Sequence, residues 1–307
     1  MAKPQLKSRN QALTRLLACG ILSVRKPIRG NMTDDYLSKL LNAYWFAPPV
    51  ALWRAIELRA VAELHYERPL LDLGCGDGLI GRALFGLERR EDVGLDPWMN
   101  QLRRAAKRNV YRHVAQGLGD ALPYADGTFS TVFSNSVLEH IPDVQPVIRE
   151  AARVLKSEGR FIFTVPSDMF RRMLDGYLRR LEAGDANGAE TYASAVDKRL
   201  EHHHYHAPDE WEALLSDAGM ALLAAKYYVP QEVERFWDRM NRRYGIDGSL
   251  SAWRLLASPR LRLLGHQGLL KSLVVNRLSP RWRPYYEMDV QPGEKGGGLL
   301  IVAQRKE

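Results

Sequence analysis

Leu70-Leu71-Asp72-Leu73-Gly74-Cys75-Gly76-Asp77-Gly78, followed by Val93-Gly94-Leu95-Asp96, is the stretch on which the reading of this chain turns. An apolar run that breaks into alternate glycines predicts a buried strand ending in a tight turn, where the backbone comes close to a ligand and side chains would obstruct it. A helix is expected to begin there, over Asp77 to Phe85. Asp96 then falls at the tip of a second strand, placed to accept hydrogen bonds from ribose hydroxyls. The implied ligand is a nucleoside.

Charge narrows its kind. Gly76-Asp77-Gly78-Leu79-Ile80-Gly81 matches G-x-G-x-x-G, so a dinucleotide such as NAD has to be weighed. Asp72 and Asp77, however, set two carboxylates around the turn that would hold a pyrophosphate, and like charges repel by several kcal/mol where water is scarce. A cationic ligand suits the turn better. S-adenosylmethionine (SAM) carries a sulfonium and an ammonium and no phosphate.

From Leu70 to Pro166 the sequence resembles the class I SAM-dependent methyltransferases, in the subgroup that modifies small molecules and lipids. Leu71 to Gly78 matches that family's first motif and Gly94-Leu95-Asp96 its acidic second-strand tip. Gly119-Asp120-Ala121-Leu122-Pro123-Tyr124 looks like the loop along adenine, Phe129 to His140 like the fourth strand and the segment under the methionine moiety, and Arg153 to Thr164 like the turn into the fifth strand. Ser157-Glu158-Gly159 stands where Pro-Gly-Gly is usual, a departure in a turn and not in the site. The resemblance implies a Rossmann-like sheet of seven strands with an antiparallel last strand. It also implies cofactor contacts at Asp72, Gly74, Cys75, Gly76, Gly78, Asp96, Pro97, Asp120, Ala121, Asn135 and Ser136.

At 307 residues the chain can bury one large core with additions. Residues 1–66 read as a basic arm and leading helices, and 67–307 as the methyltransferase domain with helical insertions at about 167–207 and 230–296. Only Cys19 and Cys75 occur, too few for a disulfide framework, which suits a reducing, cytoplasmic setting. No apolar run is long enough to span a membrane, and Leu13 to Val24 has no convincing cleavage site. The net charge of +8 divides unevenly: Met1–Gly30 and Trp253–Arg283 each hold seven Lys/Arg and no acid. Removing these fourteen from the 44 Lys and Arg leaves 30 against 36 Asp and Glu, about −6 for the rest. Charge polarised in this way points to an anionic surface or ligand.

Leu13, Leu16, Leu17 and Ile21 have helical spacing among basic residues, which fits either a helix lying on lipid at the periphery of a membrane or an arm packed on its own domain. Thr33 or Asp34 is expected to cap a helix from Tyr36, and Pro48-Pro49 to interrupt the chain before a helix from Val50 to His65. Strands are expected at Leu70–Leu73, Asp92–Asp96, Tyr111–Gln116, Phe129–Ser134, Arg160–Val165, Ala221–Val229 and Gly298–Gln304. Helices are expected at Trp98–Arg108, Asp143–Leu155, Met169–Leu181, Thr191–Glu201 and Pro230–Tyr244, with a linker over Glu182–Gly188. Leu269, Leu270, Leu273, Val274 and Leu278 form a further apolar stripe, suited to a bilayer surface, a greasy substrate or an ordinary helical cap.

His202, His203, His204 and His206 invite a metal reading, but adjacent side chains diverge and no partner has diagnostic spacing, so no metal is expected. Methyl transfer to a hydroxyl or carbon acid benefits from a base, and His140, His204 and His206 are the candidates. Ser134-Asn135-Ser136-Val137 lacks the Asn/Asp-Pro-Pro-aromatic motif of amide and base-amine methyltransferases. O- or C-methylation of a lipid, isoprenoid or other hydrophobic small acceptor is therefore expected. The alternatives are an RNA methyltransferase, whose phosphates the basic segments would grip, and a SAM-binding protein without catalysis.

Overall fold

The structure, a computed structural model, describes residues 35–86, 91–245 and 267–307. The amphipathic stretch from Leu13 to Ile21 and Trp253 in the second basic segment lie outside the described residues.

Seven strands form one sheet: β1 (Leu70–Leu73), β2 (Glu91–Asp96), β3 (Tyr111–Gln116), β4 (Phe129–Asn135), β5 (Leu155–Pro166), β6 (Met220–Tyr228) and β7 (Gly298–Arg305). Their order is β3-β2-β1-β4-β5-β7-β6. Strands β1 to β5 pair in parallel, and β7 runs antiparallel to both β5 and β6. The expected architecture is present.

Side chains alternate across the sheet, so Val132, Phe161 and Phe163 enter one apolar layer and Phe133 and Ile162 the other. The first layer is closed by α5 (Gln145–Val154) and α9 (Pro208–Asp217), whose Trp211 is fully buried. The second is closed by α1 (Tyr36–Ala43), α2 (Pro48–Val61), α3 (Leu79–Phe85), α10 (Gln231–Tyr244) and α11 (Gln267–Glu287). Helix α4 (Met99–Arg108) packs on β2 and β3. Coverage of both faces accounts for β1, β7 and the second half of β5, which are buried almost throughout, while edge strand β3 is largely exposed or half-buried.

Several helix boundaries differ from the sequence expectation, each for a local reason. Asp35 caps α1 by accepting from the Ser38 amide at 3.2 Å. Pro48 and Pro49 do not precede α2 but form its first turn, where a missing N–H leaves nothing unsatisfied. Helix α3 starts at Leu79 because Gly78, at φ 74°, serves as its N-cap. The single helix expected over Met169–Leu181 is divided into α6 (Phe170–Met173) and α7 (Asp175–Glu182) by Leu174, whose backbone is extended. Buried Asp175 is drawn there toward Arg239 at 3.0 Å and Arg242 at 2.8 Å. The expected linker ends early, since α8 (Ala186–Leu200) begins at Ala186 with Asp185 accepting from the Gly188 amide at 2.8 Å.

The segments after β5 and β6 pack together. Asp238 of α10 accepts from the Gly176 amide at 2.9 Å and the Tyr192 hydroxyl at 2.6 Å. Phe170 and Trp237 pack edge-on or tilted around Trp53 of α2, with ring centroids 5.1–5.9 Å apart. Both segments leave the carboxyl ends of their strands, so this cap stands on the edge of the sheet where ligands of such folds bind.

Candidate functional site

At the carboxyl end of β1, Gly74, Gly76 and Gly78 take positive φ of 77°, 54° and 74°, a region that favours glycine. A Cβ on Gly74 would collide with the Val137 side chain, whereas one on Gly76 would meet nothing within 4 Å. The turn is thus pressed against the segment after β4 on one side and open on the other. Gly74 and Cys75 donate to the Leu95 carbonyl at 2.8 and 3.0 Å. Asp96 is buried and accepts from the Gly76 amide and the Trp98 amide, each at 2.9 Å. Each oxygen holds one backbone donor and keeps a lone pair for another.

Asp72 is buried beneath the turn and accepts from the Tyr111 hydroxyl at 2.6 Å. Burial pushes the Cys75 thiol up, and the nearby Asp72 and Asp96 carboxylates push it further. Burial and then Asp72 do the same to Tyr111. Asp77 contributes differently from expectation: Arg108 pairs with it at 2.6 Å and binds its carbonyl at 2.9 Å. The negative field of the turn therefore comes from Asp72 and Asp96, with Asp77 compensated.

The wall after β4 is organised by a residue of α2. Glu57 is fully buried and receives Arg54 at 2.7 Å, Tyr228 at 3.1 Å, Trp53 and Asn135 at 3.3 Å, and the Ser136 hydroxyl. Asn135 also accepts from Thr164 at 3.1 Å. Ser136 sits at φ 50°, a strained conformation for a residue other than glycine, and its amide donates to the Thr164 carbonyl at 2.9 Å.

Farther along this wall, a carboxylate oxygen of Glu139 and one ring nitrogen each of His140 and His202 lie within 4.8 Å of one another. His140 Nε2 is 3.9 Å from Glu139 Oε1. Glu139 is 2% exposed, and its Oε2 has no hydrogen-bond partner among the described residues. Burial raises its carboxyl to about 8. Burial, with His140 adding to it, lowers His202 to about 3. His202 Nδ1 contacts the Tyr205 hydroxyl at 3.0 Å, and that hydroxyl donates to Asp197 at 2.6 Å.

Comparison with known proteins agrees with this geometry. Residues 71–163 match the methyltransferase-domain family. A SAM-dependent methyltransferase of Thermotoga maritima superposes over 90% of this chain and 100% of its own, with a TM-score of 0.50 at 16% identity, which supports the fold. The methyltransferase GfsG of Streptomyces halstedii is 32% identical over 212 residues, covering 64% of this chain and 69% of GfsG. The chain belongs to the class I SAM-dependent methyltransferases. The ubiquinone biosynthesis O-methyltransferase of Xanthomonas euvesicatoria is 29% identical over 207 residues, 61% of this chain and 80% of that one. Two further methyltransferases are matched over only 50% and 38% of their length.

In this methyltransferase Asp72, Gly74, Cys75, Gly76, Gly78, Asp96 and Pro97 surround the turn or the β2 tip beside it, and Asn135 and Ser136 form the opposing wall. Asp120 and Ala121 are exposed on the loop after β3. Arg153 fastens that loop, binding the Leu122 carbonyl at 3.0 Å and the Tyr124 carbonyl at 2.8 Å while forking onto Glu150 at 2.7 and 2.8 Å. Of the candidate bases, only His140, itself exposed, joins buried Glu139 and half-buried His202. His204 donates from Nε2 to the Ile141 carbonyl at 3.2 Å, and His204 and His206 stack on each other and pack against Trp211. The structure brings His202 to His140 in their place. Sequence reasoning missed Glu57, whose signal was a carboxylate inside the apolar run of Ala55-Ile56-Glu57-Leu58.

Proposed function

We propose that the chain transfers a methyl group from SAM to an oxygen of a small hydrophobic acceptor. The observation that carries the reading is the glycine turn with its Asp72 and Asp96 field, facing across Val137 to a wall that ends in Glu139, His140 and His202. The residues present fit SAM. Gly76 opens to free space, Asp96 keeps acceptor capacity for ribose hydroxyls, and the two carboxylates favour a cation over a pyrophosphate. Asp120 and Ala121, with exposed Trp98 and Leu118 at neighbouring strand ends, would border adenine. SAM, when bound, supplies a methyl carbon already activated by its sulfonium.

The chain then has to orient the acceptor and exclude water. His140, with His202 beside it, is the group that meets the acceptor hydroxyl. A hydrophobic acceptor and an oxygen target are supported by the name of the Xanthomonas relative, a ubiquinone biosynthesis O-methyltransferase. Among the described residues no helix is long and apolar enough to cross a membrane.

Calorimetry with SAM and with NADH tests the cofactor: SAM is expected to bind and NADH not. Asp96→Asn should weaken SAM at least about tenfold, since it loses a charged acceptor for ribose hydroxyls. Labelled SAM incubated with a lipid extract should yield a labelled product that partitions into organic solvent. Uptake of NADH without SAM, or label in RNA alone, would overturn the reading.

A further inference from the structure

We propose that Glu139, His140 and His202 form a binding site for one divalent first-row transition ion, Zn²⁺ being the simplest probe. The inference rests on the acceptor-side reading above and refines it: the ion, rather than a free imidazole, meets the acceptor oxygen.

Three features converge. The three donor atoms lie within 4.8 Å of one another, and one pair is 3.9 Å apart. Ligands about 2.1 Å from a common ion sit roughly 3.0–3.4 Å apart, so side-chain rotation of about an ångström closes the set. Glu139 is almost completely buried with Oε2 unpartnered, an arrangement that costs free energy unless a cation, a donor or its own proton completes it.

The outer contacts also fit. His140 Nδ1 lies 3.1 Å from the Glu201 carbonyl, an acceptor, so that nitrogen carries the proton and Nε2 the lone pair. The Tyr205 hydroxyl gives its proton to Asp197, so it accepts from His202 Nδ1 and leaves the lone pair on His202 Nε2. Carbonyl and carboxylate-backed contacts of this kind fix the tautomer of ligating histidines. Two imidazoles and one carboxylate suit Zn²⁺, Mn²⁺, Fe²⁺ or Co²⁺ better than Mg²⁺ or Ca²⁺, and leave positions open for acceptor oxygens.

The test uses untagged full-length protein stripped with a chelator and then titrated with Zn²⁺ by calorimetry, with SAM titrated separately. One equivalent of Zn²⁺ is expected per chain. Glu139→Gln and His202→Ala should each weaken it at least about tenfold, Tyr205→Phe by a smaller factor, and His113→Ala, on the exposed side of β3, not at all. In the unmutated protein, Zn²⁺ should protect His140 and His202 from carbethoxylation, a readout that does not depend on any variant folding. No stoichiometric uptake, unchanged uptake in Glu139→Gln and His202→Ala, or no protection overturns the site. If SAM binds and methylation proceeds equally with and without chelator, the ion proposal fails and the methyltransferase reading stands. If Zn²⁺ binds and SAM does not, the reverse holds.

Discussion

Glu57 of α2 and Glu234 of α10 are both fully buried carboxylates, yet their surroundings are opposite. Glu57 gathers donors from Trp53, Arg54, Asn135, Ser136 and Tyr228, drawn from three separate elements. Glu234 lies against the Gly297 backbone, and neither of its oxygens has a hydrogen-bond partner among the described residues. A buried carboxylate with a full set of donors acts as a cross-link, because removing it strands every donor at once. One without donors is accommodated by keeping its proton. The first arrangement ties the leading helix to the wall of the cofactor crevice; the second sits in the cap and ties nothing.

The largest effect should come from breaking the hub. Glu57→Ala leaves a cavity and strands several buried neutral donors together with the half-buried Arg54 guanidinium, so a stability loss of about 2–4 kcal/mol is expected in urea unfolding. SAM affinity should fall with it, because Asn135 and the strained Ser136 lose their anchor. A loss below 1 kcal/mol would show that the donors find water instead.

Glu234→Gln should act in the other direction and only over part of the pH range. Burial, reinforced by Asp238, holds the Glu234 carboxyl well above its ordinary 4.5, so the folded state keeps a proton that the unfolded chain releases. Its contribution is fully present below about pH 4 and is lost as pH rises toward the raised value. The variant has no such proton, so its stability relative to the parent should climb from pH 5 to pH 8. Thermal melts across that range check it, and parallel curves would mean that Glu234 is ionised in the fold.

These two carboxylates also mark where the sequence stops being legible. The turn from Leu70 to Gly78 and the Asp96 tip could be read because local backbone demands, alternate glycines and apolar runs write themselves into adjacent residues. The sheet followed, since strand order comes from the same βα repetition. Glu57 stood out only as a carboxylate in an apolar run, and its role could not be read, because its partners at Asn135, Ser136 and Tyr228 are brought to it only by folding. His202 was one of four clustered histidines, and its pairing with His140 depends on how α8 ends at Glu201, in a left-handed turn that redirects the chain. Asp77 misled for the same reason, as Arg108 reaches it from the far end of α4.

The smallest effect separates the two ends of one bond. Tyr228, at the end of β6, donates to Glu57 Oε1 at 3.1 Å and packs its ring in the apolar layer with α2, while Gly298 opposite leaves room for that ring. Tyr228→Phe keeps the ring and removes one donor from a carboxylate that retains Arg54, Trp53, Asn135 and Ser136. No buried group is left without a partner, so the cost should be that of a single net hydrogen bond, about 0.5–1.5 kcal/mol. The Glu57→Gln, Tyr228→Phe double-mutant cycle isolates the coupling, which should not exceed that amount. A Tyr228→Phe loss as large as that of Glu57→Ala would mean that the carboxylate depends on this one hydroxyl. The hub would then be a pair, and its contrast with Glu234 would shrink to a difference of one donor.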